Sequence, residues 1–307
     1  MEELSRAAIW QENWAGGVPL QLTLASTEVT ALSAPPALYV MGPRLGYLPT
    51  VALQARAFFQ HVLPPGDDTP WFECNRLALP WHVPLGVLYD LLARKRQRPW
   101  ALTVHFRSFP RGRLLRWDGV ASMRAAFFSS LKEAAYVCQG SAGGVMGMAT
   151  SAQDELWAAV AAGDGSRVAA VSGALRLAPR ARGDRRPMLP LRIYVRTADT
   201  EYIADLAEAV HFTSRPVEAI LASGAARTLR DALSAVLAEL LPSGWAPGGA
   251  EAAAELGSAA QTLQVGGREA DVVVGGVRPP LDTPLAWLHS ALAHADHFLY
   301  IAVMLHT

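Results

Sequence analysis

Two ten-residue segments, one in the first third of the chain and one near its end, share one frame. Pro84 to Ala93 reads PLGVLYDLLA, and Pro284 to Ala293 reads PLAWLHSALA. Both run Pro-Leu-x-x-Leu and close on Leu-Ala. Each is followed, after a polar spacer, by an aromatic-led apolar segment: WALTVHF at Trp100 to Phe106 and FLYIAVML at Phe298 to Leu305. A repeat of both local sequence and segment order restricts the fold sharply, because the chain must then hold one supersecondary unit twice.

The first unit can be read outward from its repeat. Residues 1–14 form a short amphipathic helix carrying Ile9 and Trp10, broken at Gly16-Gly17. Val18 to Leu24 alternates as a strand, with Ala37 to Met41 as its hairpin partner. Thr50 to Val62 has helical spacing at Val51, Ala55, Phe58, Phe59 and Val62. Trp71 to Leu79 reads as a strand, and the repeat helix and Trp100 to Phe106 complete the set. The order strand, strand, helix, strand, short helix, strand is the β-grasp pattern of ubiquitin-like domains, in which one helix covers the apolar face of the sheet.

The second unit follows the same order. Leu189 to Arg196 is a strand, with its partner expected within Tyr202 to Phe212, and Thr228 to Leu241 is a helix with Leu229, Leu233, Val236, Leu237 and Leu240 on one stripe. Leu263 to Val265 and Asp271 to Val274 are short strands. Between the halves the pattern is helical: Val120 to Cys138, Ala152 to Ala162 and Ser166 to Leu177, with a glycine-rich break at Gly140 to Gly147. The expectation is an α+β protein with an N-terminal helix at 1–16, a first ubiquitin-like domain at 17–110, a helix-rich domain at 111–187 and a second ubiquitin-like domain at 188–307. Pro242 to Ala260 reads as a surface insertion.

Composition narrows the function. Net charge is zero, with 27 basic and 27 acidic side chains, which argues against the broad basic face of a nucleic-acid binder. Cys74 and Cys138 are too few for a disulfide framework, so a reducing compartment fits. The N-terminal stretch lacks a signal peptide's apolar core, and no run approaches the ~20 apolar residues of a membrane-spanning helix. Membrane contact is therefore expected to be peripheral. Of the 27 basic residues 25 are arginine, and the two lysines are Lys95 and Lys132. Codon bias explains the excess of arginine. Arginine supplies charge as well as lysine does, but not a nucleophilic amine.

Lys95 lies within RKRQR, where arginine would serve. Lys132 lies on the middle helix. At about 100° per residue, Val120, Met123, Phe127, Leu131, Ala134 and Cys138 form one stripe, and Lys132 falls roughly 120° from its centre, facing water. Phe128 and Tyr136, at i−4 and i+4, flank it with apolar surface. Taken alone, this also describes an ordinary solvated helix lysine beside Glu133.

No G-x-S-x-G, P-loop or Rossmann fingerprint is present. His289, His294 and His297 cluster, but no carboxylate or cysteine stands at ligand spacing, so they read as surface histidines and no metal or other cofactor is expected. Asp67-Asp68 reads as a solvated turn.

Five ordered blocks carry a resemblance: WHVPLGVLYDLLA (81–93), PWALTVHFRSFP (99–110), FFSSLKEAAYV (127–137), LPLRIYVR (189–196) and LDTPLAWLHSALAHADHFLYIAV (281–303). In sequence and order they resemble the autophagy-related protein 5 family over nearly the whole chain. The resemblance implies a non-catalytic scaffold with two ubiquitin-like folds around a helix-rich domain. It implies that Lys132, in Leu131-Lys132-Glu133-Ala134, accepts the C-terminal glycine of autophagy protein 12 in an isopeptide bond made by E1-like and E2-like enzymes. It implies that autophagy protein 16 binds as a helix in a groove shared by all three domains, with Ile9, Trp10 and Arg44 as candidate contacts. The assembly would act as the E3-like component for lipidation of autophagy protein 8, in the cytoplasm and at the phagophore assembly site. The basic residues Arg94, Arg96, Arg98, Arg182, Arg185 and Arg186 are candidates for contact with an anionic membrane surface, or a solvated face. The 139–150 loop and the 242–260 insertion depart from the family pattern.

Overall fold

A computed structural model describes residues 2–66, 69–93, 97–175, 177–181, 183, 186–197, 206–240, 263–265 and 268–306. Asp67-Asp68, Arg94, Lys95, Arg96, Arg182, Arg185, Tyr202 and the 242–260 insertion lie outside the described residues.

The N-terminal helix α1 (Glu2–Ala15) precedes a sheet of five strands, β1 (Gly17–Leu24), β2 (Leu38–Pro43), β3 (Trp71–Cys74), β4 (Leu77–Ala78) and β5 (Trp100–His105). Their order is β2-β1-β5-β3-β4, with β1 and β5 parallel at the centre and Leu22 opposite Leu102. Alternation on β1 sends Val18, Leu20, Leu22 and Leu24 inward. There they meet Val51, Ala55 and Phe59 of helix α2 (Pro49–Phe59) and Leu85, Leu88 and Leu92 of helix α3 (Leu85–Leu92).

The second sheet repeats the plan. Strands β6 (Met188–Arg196), β7 (Val210–Glu218), β8 (Leu263–Val265), β9 (Arg268–Val274) and β10 (Leu299–Leu305) run in the order β7-β6-β10-β9-β8, with β6 and β10 parallel. Helices α9 (Leu229–Leu240) and α10 (Leu285–Leu292) cover it. The repeat noted in the sequence is a structural one. Pro84 and Pro284 occupy the N-cap positions of α3 and α10, where a missing N–H costs little. Ala93 and Ala293 close them with N–H bonds to the carbonyls of Tyr89 and His289.

Between the two sheets lie α4 (Val120–Gln139), α5 (Gly143–Met146), α6 (Thr150–Ala162) and α7 (Gly165–Ser172). Gly140, at φ 67°, ends α4 in the left-handed conformation that glycine adopts without strain. A short helix, α8 (Leu206–Ala209), leads into β7.

Several local expectations differ. Trp71 to Leu79 is a tight hairpin, not one strand. Asn75 and Arg76 both have positive φ, 50° and 68°, which a two-residue turn between twisted strands requires. The partner of β6 begins at Val210 and runs beyond Phe212 to Glu218; as an edge strand it tolerates Pro216. The helix expected over Ser166 to Leu177 stops at Ser172 and passes into a 3-10 turn, Gly173–Leu175. The glycine-rich break after α4 holds the single turn α5. Among the described residues no helix is long and apolar enough to cross a membrane.

Candidate conjugation site and domain junction

Helix α4 is enclosed more widely than a single stripe requires. Met123, Phe127, Phe128, Leu131, Ala134, Ala135 and Cys138 are buried, while Val120, assigned to the stripe, is 59% exposed on the first turn. Phe127, Phe128, Leu131 and Ala135 join Leu156, Trp157 and Val160 of α6 in the helical core. Ala134 joins the core of the first domain. Only a methyl group at 134 and 135 lets the helix approach two neighbours at once.

Lys132 projects from the open side, and its residue is exposed as expected. Of its two flanking aromatics, Tyr136 is 65% exposed and offers apolar surface. Phe128 does not. It is 7% exposed, packed edge-on to Phe127 with the Arg124 guanidinium 5.6 Å from its ring centre. The expected apolar rim around the amine is therefore one-sided, because α4 buries the neighbouring stripe as well. Glu133 turns the other way, accepting from Arg192 Nη2 at 3.1 Å and from Ser214 Oγ at 3.0 Å.

Arg192 belongs to a polar junction that the sequence reading missed. Asp296 is 1% exposed and receives the Tyr300 hydroxyl at 2.8 Å and the Phe298 N–H at 3.1 Å. Arg192 donates to the Tyr300 hydroxyl at 2.9 Å and lies 3.5 Å from Asp296. His294 Nε2 meets the Leu45 carbonyl at 2.5 Å, and Nδ1 lies 3.4 Å from Asp296, so both ring nitrogens face acceptors. Burial pushes the Asp296 carboxyl up, but the His294, Arg192 and Tyr300 contacts outweigh it and hold the group below its usual value. Burial likewise drives the Tyr47 and Tyr300 hydroxyls well up, so both stay neutral. One charged network thus ties the first domain (Leu45), α4 (Glu133) and the second domain (Arg192, Asp296).

Against the surface positions expected from sequence, His289 and His294 are buried and His297 is half-buried, with His294 at this junction. His289 and His294 are 5% and 4% exposed, and His289 Nε2 bonds the His297 carbonyl at 2.9 Å. Among the described residues no cluster of His, Cys, Asp and Glu is arranged to hold a metal.

Beside the junction the three parts of the chain enclose an open cleft of about 440 Å³. Trp81 and His82 come from the first domain, Phe127 from α4, and Arg192, Tyr194 and Phe212 from the second sheet. Its lining is mainly aromatic and aliphatic, and its buried cation, Arg192, is engaged by Asp296 and Glu133.

Ile9, Trp10 and Arg44 do not line this cleft. Ile9 packs on the second-domain core, and Trp10 on the helical core with its ring 5.5 Å from Trp14. Arg44 is ion-paired to Asp90, and its N–H bonds the Gly16 carbonyl at 2.9 Å. Its guanidinium reaches Gly276 of the second domain, where a Cβ would stand 2.5 Å from it. Ile9 and Trp10 thus anchor α1 on two different cores, and Arg44, just after β2, lies against Gly276 of the second domain. Of the basic candidates among the described residues, Arg98 is exposed, and Arg186 is paired to Glu218 at 2.9 Å.

Comparison with known proteins agrees with this architecture. Residues 13–106 match the UblA domain, 120–171 the alpha-helical bundle region and 188–303 the UblB domain of autophagy protein ATG5. Autophagy protein 5 of Arabidopsis thaliana is 32% identical over 322 residues, covering 95% of this chain and 96% of the relative. The chain belongs to the autophagy protein 5 family. The Oryza sativa subsp. japonica member is also 32% identical, over 353 residues, covering 96% of this chain and 93% of its own. The crystal structure of Kluyveromyces marxianus Atg5 superposes with a TM-score of 0.69 at 19% identity, covering 96% of this chain and 99% of that one, so the family fold is shared. Two ubiquitin-like domains around a helical bundle are thus the architecture of this family member.

Proposed function

We propose that this protein is a non-catalytic scaffold of autophagy whose Lys132 carries autophagy protein 12 through an isopeptide bond. In this reading the conjugate binds a helix of autophagy protein 16 and acts as the E3-like component that promotes transfer of autophagy protein 8 to phosphatidylethanolamine. It works in the cytoplasm and at the phagophore assembly site, held to an anionic membrane surface peripherally, with exposed Arg98 among the contacts. Membership of the autophagy protein 5 family supports the role in autophagy.

The observation that carries the finer reading is the setting of Lys132: an exposed amine on a twenty-residue helix that is packed on two sides, within Leu131-Lys132-Glu133-Ala134. An alkylammonium is protonated at neutral pH and is not a nucleophile. The conjugating enzyme must take up its proton. The amine then attacks the thioester carbon of the charged carrier, the new N–C bond forms, and the C–S bond breaks with the thiolate leaving. The acceptor has only to present the nitrogen in the right place, which a rigid helix does.

Reconstitution with the E1-like and E2-like enzymes, autophagy protein 12 and ATP tests this. Lys132→Arg keeps the charge and removes the primary amine, so the ligated band should vanish, while Lys95→Arg should retain it. A ligated band from Lys132→Arg would show that the acceptor lies elsewhere.

A further inference from the structure

Glu133 directly follows the proposed acceptor, and its carboxylate is held from two strands: by Arg192 of β6 at 3.1 Å and by Ser214 of β7 at 3.0 Å. Ion pairs between two loose surface side chains contribute little, because both must be ordered. Here one end is already immobile. The Arg192 side chain is 15% exposed, its guanidinium lies 3.9 Å from the centre of the Phe298 ring, and the Tyr300 hydroxyl and Asp296 hold it from behind. Ordering therefore falls mainly on Glu133.

We infer that Arg192 and Ser214 are positioning residues for ligation at Lys132: through Glu133 they lock the turn of α4 that carries the acceptor onto the second ubiquitin-like domain. This rests on the reading of Lys132 as the acceptor. Leu131, Ala134 and Ala135 pin the same turn from its buried side. The turn is thus gripped by packing on one side and by a charged hydrogen-bonded contact on the other, leaving the lysine side chain as the moving part. Aminolysis requires the nitrogen within about 3–3.5 Å of the thioester carbon, and misplacement by an ångström can cost orders of magnitude in rate. Rolling of the helix carries the amine with it, and the clamp opposes rolling. Its effect belongs to the chemical step, since none of its members need touch the incoming carrier.

The test is steady-state ligation with the full chain and the reconstituted enzymes. Glu133→Ala should lower kcat about tenfold while leaving KM for the charged conjugating enzyme within about twofold. Glu133→Gln keeps one oxygen to accept from Arg192 and puts an NH2 where it can donate to the Ser214 hydroxyl, and should restore most of the rate. Ser214→Ala should give a smaller loss, and Glu133→Ala with Ser214→Ala should be no slower than Glu133→Ala alone, because both act through one contact. Glu133 is half exposed, so melting temperatures should match the parent and exclude misfolding. An unchanged kcat, a rise in KM alone, or additive losses would overturn the clamp. Lys132→Arg, run alongside, judges the acceptor separately: loss of product upholds it, and surviving product overturns it together with any purpose for the clamp.

Discussion

His297 has φ 63°, in the left-handed region, where it closes the turn between α10 and β10. Its N–H bonds the His294 carbonyl at 2.8 Å, and its own carbonyl receives His289 Nε2. Burial pushes the His297 imidazole down to about 4, and lowers His289 as well. Both rings are therefore neutral in the fold at neutral pH. The unfolded chain takes up protons on them below about 6.5, so it binds more protons than the fold does between there and pH 4. Stability then rises with pH across this window and is lost as pH falls through it. Asp296, also held below its usual value, extends the loss to lower pH. The melting temperature should fall from pH 7 to pH 4. His297→Asn, which tolerates the left-handed backbone, should flatten that fall, and an unchanged slope in pH-dependent melts would exclude His297 as a contributor. Arg192 shows where residue-level legibility ended. In LPLRIYVR it alternates away from Leu191, Ile193 and Val195 and so reads as solvent-facing. That face of the sheet is in fact covered by α4 and the first domain, and a distant covering element leaves no mark on the local pattern.

At the scale of elements, long periodic segments were legible and short ones were not. α2, α4 and α9 each present enough apolar residues at helical spacing to declare themselves. The β3–β4 hairpin did not, because Asn75-Arg76 is a weak turn signal beside Asn-Gly. On α4 the wheel located the exposed amine and Ala134 but not the second buried stripe, Phe128 and Ala135: Phe128 reads as a flank of the amine, and Ala135 is a small residue that carries little pattern. The N-terminal helix was legible as amphipathic, while its anchor was not. Trp14, not Trp10, is fully buried, with Gly165 at the start of α7 so close that a Cβ there would stand 2.6 Å from the Trp14 side chain. The absent side chain at 165 is what admits the indole. Trp14→Ala should destabilise the protein by about 3–5 kcal/mol, the cost of an emptied aromatic site, and half-buried Trp10→Ala by clearly less. Urea unfolding measures the difference, and hydrogen exchange should show the α1 amides losing protection first. Equal costs for the two tryptophans would place the anchor elsewhere.

At the scale of the molecule, β10 explains why the two ubiquitin-like units are not beads on a string. All seven of its residues are buried. Leu299, Ile301, Val303 and Leu305 face the core of their own domain, whereas Tyr300, Ala302 and Met304 join the core cluster of the first. Tyr194, Val210 and Val273 join it from the same sheet. A half-exposed sheet shows polar alternation, and β10 shows none, because its outer face has a protein partner in place of water. The His294–Leu45 hydrogen bond crosses the same seam, so separating the domains would break it as well as expose apolar surface. The full chain should therefore unfold in one transition in calorimetry. Residues 188–307 expressed alone should expose the Val273, Tyr300 and Met304 face as a contiguous apolar patch, bind a hydrophobic dye and self-associate. A monomeric fragment with the parent's melting temperature and no dye binding would mean that the seam adds nothing to the second domain. Since the turn carrying Lys132 is clamped across this same seam, such independence would also leave the acceptor's orientation without the rigid base described for it.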